Sequence, residues 1–588
     1  MRLFAQQIRK ERSPGRAFHT HGVAAALARA AFALLLLPGF SASGQTPPHL
    51  SFIQPGGIPG RPVMTGIQRA TNGVTVSWYG PPGYYQLFQR LGLNSGAWQA
   101  TGGFTISNQA TITTLHSNAF FKVAGPPPNY AGAQMCADCH ADPHDTVVLT
   151  PHASAFTNAL FVSLGGQTNN SCFACHTVGA GLPTGFTSLA ATPKLAGVQC
   201  ENCHGPAGNH AANPDDFSAI PVVEVAAQMC GGCHNSAFVP VSVAAYHPPR
   251  YEEWNTSLHQ SVVPDVATEF TQNAGLITTC GKCHSGTVRE ALLEGDVVPG
   301  AAEAGAVAVA CATCHEPHGL NTYSNILNGI ITNTVEGVTV TITNNLLGLF
   351  YTNQLREPLA SLEPYHTTGS FATNYNPNIN ACAQCHNDRG ASPTDTAFPP
   401  HPSLQYSLLI GAAGVLPAGA TNETPTHALI EKQCATCHMQ TSPYVSPAQP
   451  AVSGHSFEVV SYDACATCHG TPQNAQLLAE FLALDISMEI DSVKGQLDQW
   501  ATNKAPLALR TKYGARAWEY TTPGSLSPGG PGPTAAEQAG GAVPTNIMTA
   551  RYNLYLVQND GSMGVHNPHH CLDLLSNAGA LVQIELNK

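Results

Sequence analysis

The sequence predicts a multidomain protein: a small β-sandwich near the N-terminus, then a loop-rich, mainly α-helical region ordered by something other than an aliphatic core, closed by C-terminal helices. Three observations predict this. Residues Gly73-Val-Thr-Val-Ser-Trp78 alternate apolar and polar side chains at the period of a strand. Eighteen of the 19 cysteines recur in one five-residue pattern between residues 136 and 469. Gly (55) and Pro (45) account for 100 of 588 residues, while 43% of residues stay apolar and only 10% are charged. That composition is rich in turns without being disordered.

Residues 1–43 read as an export signal. Arg2, Arg9, Lys10, Arg12 and Arg16 precede an apolar run from about Ala30 to Phe40, and Ser41-Ala42-Ser43 supplies small residues for cleavage. The run is too short to span a bilayer comfortably, and no second one follows, so no membrane span is expected. This segment holds six of the 24 basic residues and one of the 36 acidic ones, so its removal makes a chain of net charge −12 still more acidic. Nucleic acid is thereby excluded as a natural partner. A periplasmic or secreted location follows.

Residues 48–127 form the expected sandwich. Gly73–Trp78, Tyr84–Arg90 and Asn118–Val123 are strand-like and separated by Gly/Pro turns. The segment resembles fibronectin type III-like modules of exported bacterial proteins, which implies a positioning or surface-binding role. Gly125-Pro-Pro-Pro128 reads as a stiff linker.

The pattern that dominates residues 130–470 is Cys-x-x-Cys-His, present nine times and numbered here as sites 1 to 9. The sites are Cys136/Cys139/His140, Cys172/Cys175/His176, Cys200/Cys203/His204, Cys230/Cys233/His234, Cys280/Cys283/His284, Cys311/Cys314/His315, Cys382/Cys385/His386, Cys434/Cys437/His438 and Cys465/Cys468/His469. It is the attachment signature of c-type haem. Two thiols three positions apart reach two vinyl groups, and the next residue sets its imidazole beneath the iron. Zinc ribbons give no reason for a histidine after every second cysteine, and a disulfide framework gives none either. Nine covalent haem c groups are therefore expected, and they supply the core that the composition lacks. The spacings between first cysteines (36, 28, 30, 50, 31, 71, 52 and 31) hold no fixed period, which excludes a solenoid. Gly337–Ile342, in the longest gap, reads as a hairpin insertion.

Each iron has a second axial position. Outside the sites and the signal there are 15 histidines and seven methionines, three of the latter (Met135, Met229, Met439) directly beside a site. Bis-histidine ligation is the economical assumption, with low potentials. The expected distal ligands are His152, His210, His259, His318, His401, His427, His455 and His566, with His366 or His144 as a ninth. His318 is too close to His315 to turn back to the same iron and should serve a neighbour. His116, His247, His569 and His570 are expected to be ordinary histidines.

Residues 471–588 are expected to be helical and to pack on the haem region. Thr471-Pro472 starts a helix, and the stripe Leu477, Leu478, Phe481, Leu482, Ile490, Val493, Leu497, Trp500 should pack on haems or a second helix. A Pro/Gly loop at 522–541 precedes a helix at 545–558. Cys571, outside any pair, reads as a small buried thiol.

The region from 130 to the C-terminus resembles the multihaem cytochrome c superfamily that joins the tetrahaem acceptor of hydroxylamine oxidoreductase with the octahaem and pentahaem reductases. The residues that carry the resemblance are Tyr130–His140 with Thr150-Pro-His152, Cys200-Glu-Asn-Cys-His-Gly-Pro206 with His210, Trp254–His259, Cys314-His-Glu-Pro-His318 and Gly564-Val-His566-Asn-Pro568. The resemblance implies closely spaced haems passing electrons, with other cytochromes or a quinol-oxidising complex as partners. It also implies an alternative, an oxidoreductase acting on nitrite, hydroxylamine or tetrathionate at one open iron. No site is Cys-x-x-Cys-Lys, the form typical of ammonia-forming nitrite reductases.

Overall fold

The structure is a computed structural model. It describes residues 63–70, 73–79, 85–90, 99–105, 109–112, 120–124 and 128–319 (except 183, 216–218, 222–225 and 237–238). It continues with 330–335, 338–343, 355–356 and 381–588 (except 421–425, 431–432 and 528). The export signal, residues 125–127 of the linker, His116 and His366 lie outside the described residues.

Six strands, β1 (Val63–Ala70), β2 (Gly73–Tyr79), β3 (Tyr85–Arg90), β4 (Gln99–Thr105), β5 (Gln109–Ile112) and β6 (Phe120–Ala124), form two antiparallel three-stranded sheets ordered β1-β2-β5 and β4-β3-β6. Val76, Trp78 and Ile112 from the first meet Tyr85 and Leu87 from the second in one buried cluster. Alternation explains it: Val76 and Trp78 share a face of β2, and Tyr85 and Leu87 share a face of β3. The hairpin of the long gap is β7 (Ile330–Val335) with β8 (Val338–Thr343).

From 128 onward the chain is helical, but the helices over the site region are short, mostly four to ten residues. Such helices are marginal alone and depend on what they pack against. The C-terminal block is the opposite. The helix Pro472–Asn503 begins on a Thr471 side chain that accepts from Asn474 N–H at 3.1 Å. It buries Ile486, Ile490, Val493, Leu497 and Trp500 against Thr545–Asp560 and Pro568–Leu586. In the helix Thr545–Asp560 most side chains are buried, including Arg551, so this helix runs through the core. Arg551 is satisfied by donating to the carbonyls of Trp518, Glu519 and Asp395 and to Gln538 Oε1. The expected stripe divides: its later members are core, whereas Leu477, Leu478 and Phe481 are 49, 54 and 67% exposed. Among the described residues no helix is long and apolar enough to cross a membrane.

Candidate metal centres

The attachment sites sit on single helical turns, among them Ala133–Ala137, Asn170–His176, Cys200–His204, Gln433–His438 and Asp463–His469. The histidine N–H closes on the carbonyl of the first cysteine, at 2.8 Å in sites 1 and 4 and 2.9 Å in sites 6 and 7. One turn thus puts both sulfurs on the same side and delivers the imidazole just after them.

Eight of the nine site imidazoles face a second imidazole from elsewhere in the chain. His176 faces His247 with ring centres 6.3 Å apart, His204 faces His318 at 6.0 Å, and His234 faces His152 at 5.9 Å. His284 faces His401 at 6.0 Å, His315 faces His455 at 6.4 Å, and His386 faces His259 at 6.2 Å. His438 faces His566 and His469 faces His427, both at 6.2 Å. Two imidazoles bound on opposite sides of one iron, each at about 2.0 Å with the bonding nitrogen about 1.1 Å from its ring centre, need centres about 6.2 Å apart. The eight spacings therefore fit an iron between each pair. Among the described residues His140 has no such partner.

The rings are held by their far nitrogens. Nδ1 of His176, His247, His427 and His438 bonds the carbonyls of Ala155 (2.9 Å), Val243 (3.0 Å), Val565 (2.7 Å) and Phe457 (3.0 Å). Nδ1 of His386 meets Gln405 Oε1 at 3.1 Å, His401 meets Ser403 Oγ at 3.0 Å, and His566 meets Asp560 Oδ1 at 2.7 Å. Anchored this way, each ring presents Nε2 to its opposite number. Burial holds His152, His176, His284 and His438 below the ordinary imidazole value and brings His204, His234, His259, His401 and His455 down to about 4. A neutral imidazole is the ligating form. His318 is shifted upward by its bond to Glu316. At His566 burial acts downward, but the Asp560 carboxylate outweighs it and raises the ring.

Several expectations change. His247, expected to be an ordinary histidine, faces His176; its sequence context, Tyr246-His247-Pro248, gave no signal. His210 faces no site imidazole, and its Nδ1 is buried without a hydrogen bond. His144 bonds Asp145 at 3.1 Å. His570 is a core residue whose Nε2 bonds the Ala413 carbonyl at 2.6 Å, His569 is exposed, and Cys571 is fully buried.

The residues between the paired cysteines do more than set spacing, a role the sequence reading missed. Glu201, in site 3, is fully buried and accepts from the N–H groups of Ala131, Gly132 and Ala207 at 2.8–3.1 Å, tying site 3 to the start of site 1. Its neighbour Asn202 donates to the Thr177 carbonyl beside site 2 at 2.9 Å. Gln384, in site 7, accepts from buried Arg289 below site 5. At Gly231, in site 4, a Cβ would lie 2.2 Å from the Tyr251 ring, so only glycine lets that ring close on the turn. His455 is placed by Glu253, 202 positions away in sequence, which accepts from its N–H at 2.8 Å and from Ser453 Oγ at 2.6 Å.

Residues 135–205 match the family model described as cytochrome c554 and c-prime. Cytochrome c-554 of Nitrosomonas europaea is 28% identical over 113 residues, which is 17% of this chain and 47% of that protein. It is a multihaem c-type cytochrome. The haem of such a cytochrome is covalently bound haem c. The chain spans less than half the length of that curated relative. Among solved structures, the outer cell wall cytochrome OcwA is 18% identical with a TM-score of 0.44, covering 77% of this cytochrome and 100% of that chain. An undecahaem cytochrome from the S-layer of Carboxydothermus ferrireducens is 16% identical with a TM-score of 0.42, covering 78% and 70%.

Proposed function

We propose that the chain is an exported nonahaem electron carrier. The eighteen site cysteines would hold nine haem c groups, the nine site histidines would be proximal ligands, and His152, His247, His259, His318, His401, His427, His455 and His566 would be distal ligands. Bound there, haem c supplies iron that accepts and releases single electrons without making or breaking a covalent bond. The protein's part is to fix each imidazole by its Nδ1 bond, exclude water, and keep the ligating nitrogens unprotonated. The single observation that supports this best is the set of eight imidazole pairs at iron-spanning distance. The acidic chain suits a redox partner with a basic docking patch, and the N-terminal sheets suit a fibronectin III-like module that positions the cytochrome at a surface.

The measurement is haem content and spin state. Nine haems per chain, at least eight of them low-spin with bis-imidazole signals, is the expected result; fewer than eight low-spin irons would overturn it. Cell fractionation tests export: haem-bearing protein is expected in the periplasm or medium. His140 supports a second reading, an oxidoreductase that binds a small nitrogen or sulfur compound at site 1. A ninth haem that is high-spin and takes up nitrite, hydroxylamine or CO selects that reading. A ninth low-spin haem that turns high-spin in His210→Ala or His144→Ala rejects it and identifies the missing ligand.

A further inference from the structure

The nine sites are not placed in space in the order of the chain. The helix Ala133–Ala137 of site 1 touches Cys200–His204 of site 3, and the thiols of Cys136 and Cys200 are hydrogen-bonded. Cys203 of site 3 acts electrostatically on Cys230 of site 4. Site 4 also touches site 6 through the helices Ala227–Gly231 and Cys311–Cys314, with Cys230 hydrogen-bonded to Cys311. Cys314 of site 6 lies beside Cys385 of site 7, Cys382 of site 7 bonds Cys434 of site 8, and Cys437 lies beside Cys465 of site 9. Sites 2 and 5 join this series from the side. The Cys175 thiol reaches Cys233 and the Gly232 carbonyl (4.0 Å) of site 4. The Cys283 thiol reaches Cys385 and the Gln384 carbonyl (3.9 Å) of site 7, with Arg289 bridging Lys282 O (3.1 Å) and Cys385 Sγ (3.6 Å).

A second observation agrees with that order. Only Cys139 of site 1 and Cys468 of site 9 are exposed among the site cysteines; every other one is partly buried. These are the two ends of the series. Since each cysteine carries the vinyl edge of its own porphyrin, cysteines in contact bring two porphyrin edges together, and an exposed cysteine brings one to the surface.

We propose that the chain arranges its attachment sites as a line, 1–3–4–6–7–8–9, with sites 2 and 5 as side branches on 4 and 7, and that redox partners of opposite role dock at the two exposed ends. This rests on the electron-carrier reading above. Each transfer oxidises one ferrous iron and reduces its ferric neighbour, with no bond made or broken. The branches lie off the through-path and serve to hold charge.

The test injects electrons at one end of the full holoprotein and times their arrival. Gln473→Cys, at an exposed position four residues after His469, carries a ruthenium polypyridyl label, photoreduced with a soluble amine donor. Buried Cys571 stays unlabelled. Single distal His→Met variants tag individual sites with a distinct spectrum and a higher potential; where methionine does not ligate, the high-spin site is equally distinct. The tag at site 8 (His566→Met) should fill first, then site 7 (His259→Met). Sites 5 and 6 (His401→Met, His455→Met) should then fill in one shared phase, followed by site 4 (His152→Met). Sites 2 and 3 (His247→Met, His318→Met) should share the last phase. With the label moved to Asp142→Cys, beside site 1, site 3 should fill first, then site 4. Filling of site 5 before 7, or of site 2 before 4, in the Gln473→Cys protein would overturn the branching while leaving electron carriage intact. Reduction that stops at the first haem would overturn both.

Discussion

Sites 1–3 and sites 4–6 are built as the same unit used twice, and they differ in how each is fastened. Both open on the tetrapeptide Ala-Gln-Met-Cys, at 133–136 and 227–230. In both, the residue two past the second site's histidine donates its N–H to a carbonyl ahead of the third site, Val178 to Leu195 and Gly286 to Val307, each at 2.9 Å. In both, a side chain inside the third site accepts from the N-cap N–H: Asn202 from Gln199 at 2.8 Å, and Thr313 from Ala310 at 3.0 Å. In both, the distal histidine after the first site reaches three sites ahead, His152 to site 4 and His259 to site 7. The fastening differs in sign. The first unit closes on an anion, Glu201. The second has Ala312 at that position and closes on a cation, Arg356, which donates to the Ala312 carbonyl and meets Glu290, Glu294 (2.6 Å) and Glu316 (2.8 Å). One frame can therefore be locked by either charge, provided every polar atom around the lock is answered.

The two locks can be broken separately. Glu201→Ala strands three backbone N–H groups in the interior and should cost about 3–5 kcal/mol. It should melt the haem bands of sites 1–3 first in a thermal scan, and unchanged melting would show the carboxylate to be dispensable. Next in size is a pH effect confined to the second unit. Burial raises Glu290 to about 7, against the pull of Arg356. The folded state then holds a proton that the unfolded chain has given up, so stability is full below about 4.5 and declines as pH rises to about 7. On the order of 1–2 kcal/mol should disappear over that window, followed by hydrogen exchange at residues 286–316. Glu290→Gln should flatten the slope, and residues 199–207 should show none. The helix caps give the smallest difference: Thr313→Ala should cost about 1 kcal/mol by chemical denaturation. Asn202→Ala should cost more, because Asn202 also holds the Thr177 carbonyl.

This pairing of units also explains what could and could not be read from the residues alone. The attachment chemistry was legible because thioether geometry forces a fixed local spacing. Strands such as Gly73–Tyr79 were legible because alternation is local too. The histidines at 152, 259, 401, 427, 455 and 566 could be nominated from short motifs, but not assigned to sites, because each faces a site from another part of the chain. His247 went unrecognised for the same reason: the ring that defines its role belongs to His176, 71 positions earlier. Glu201 and Arg356 were invisible because a buried charge is identified by the backbone groups around it, and these come from distant segments. The exposed Leu477, Leu478 and Phe481 are a different case, since helical periodicity fixes a face without saying what covers it.

The crossed pairing bears on how such a chain can be made. The ring opposite His438 is His566, and the carbonyl that orients His427 opposite His469 is that of Val565, the preceding residue. A polypeptide released just short of this turn would carry all eighteen anchoring sulfurs yet leave two neighbouring centres unfinished. During biogenesis, then, the last residues to emerge complete the wiring at sites 8 and 9.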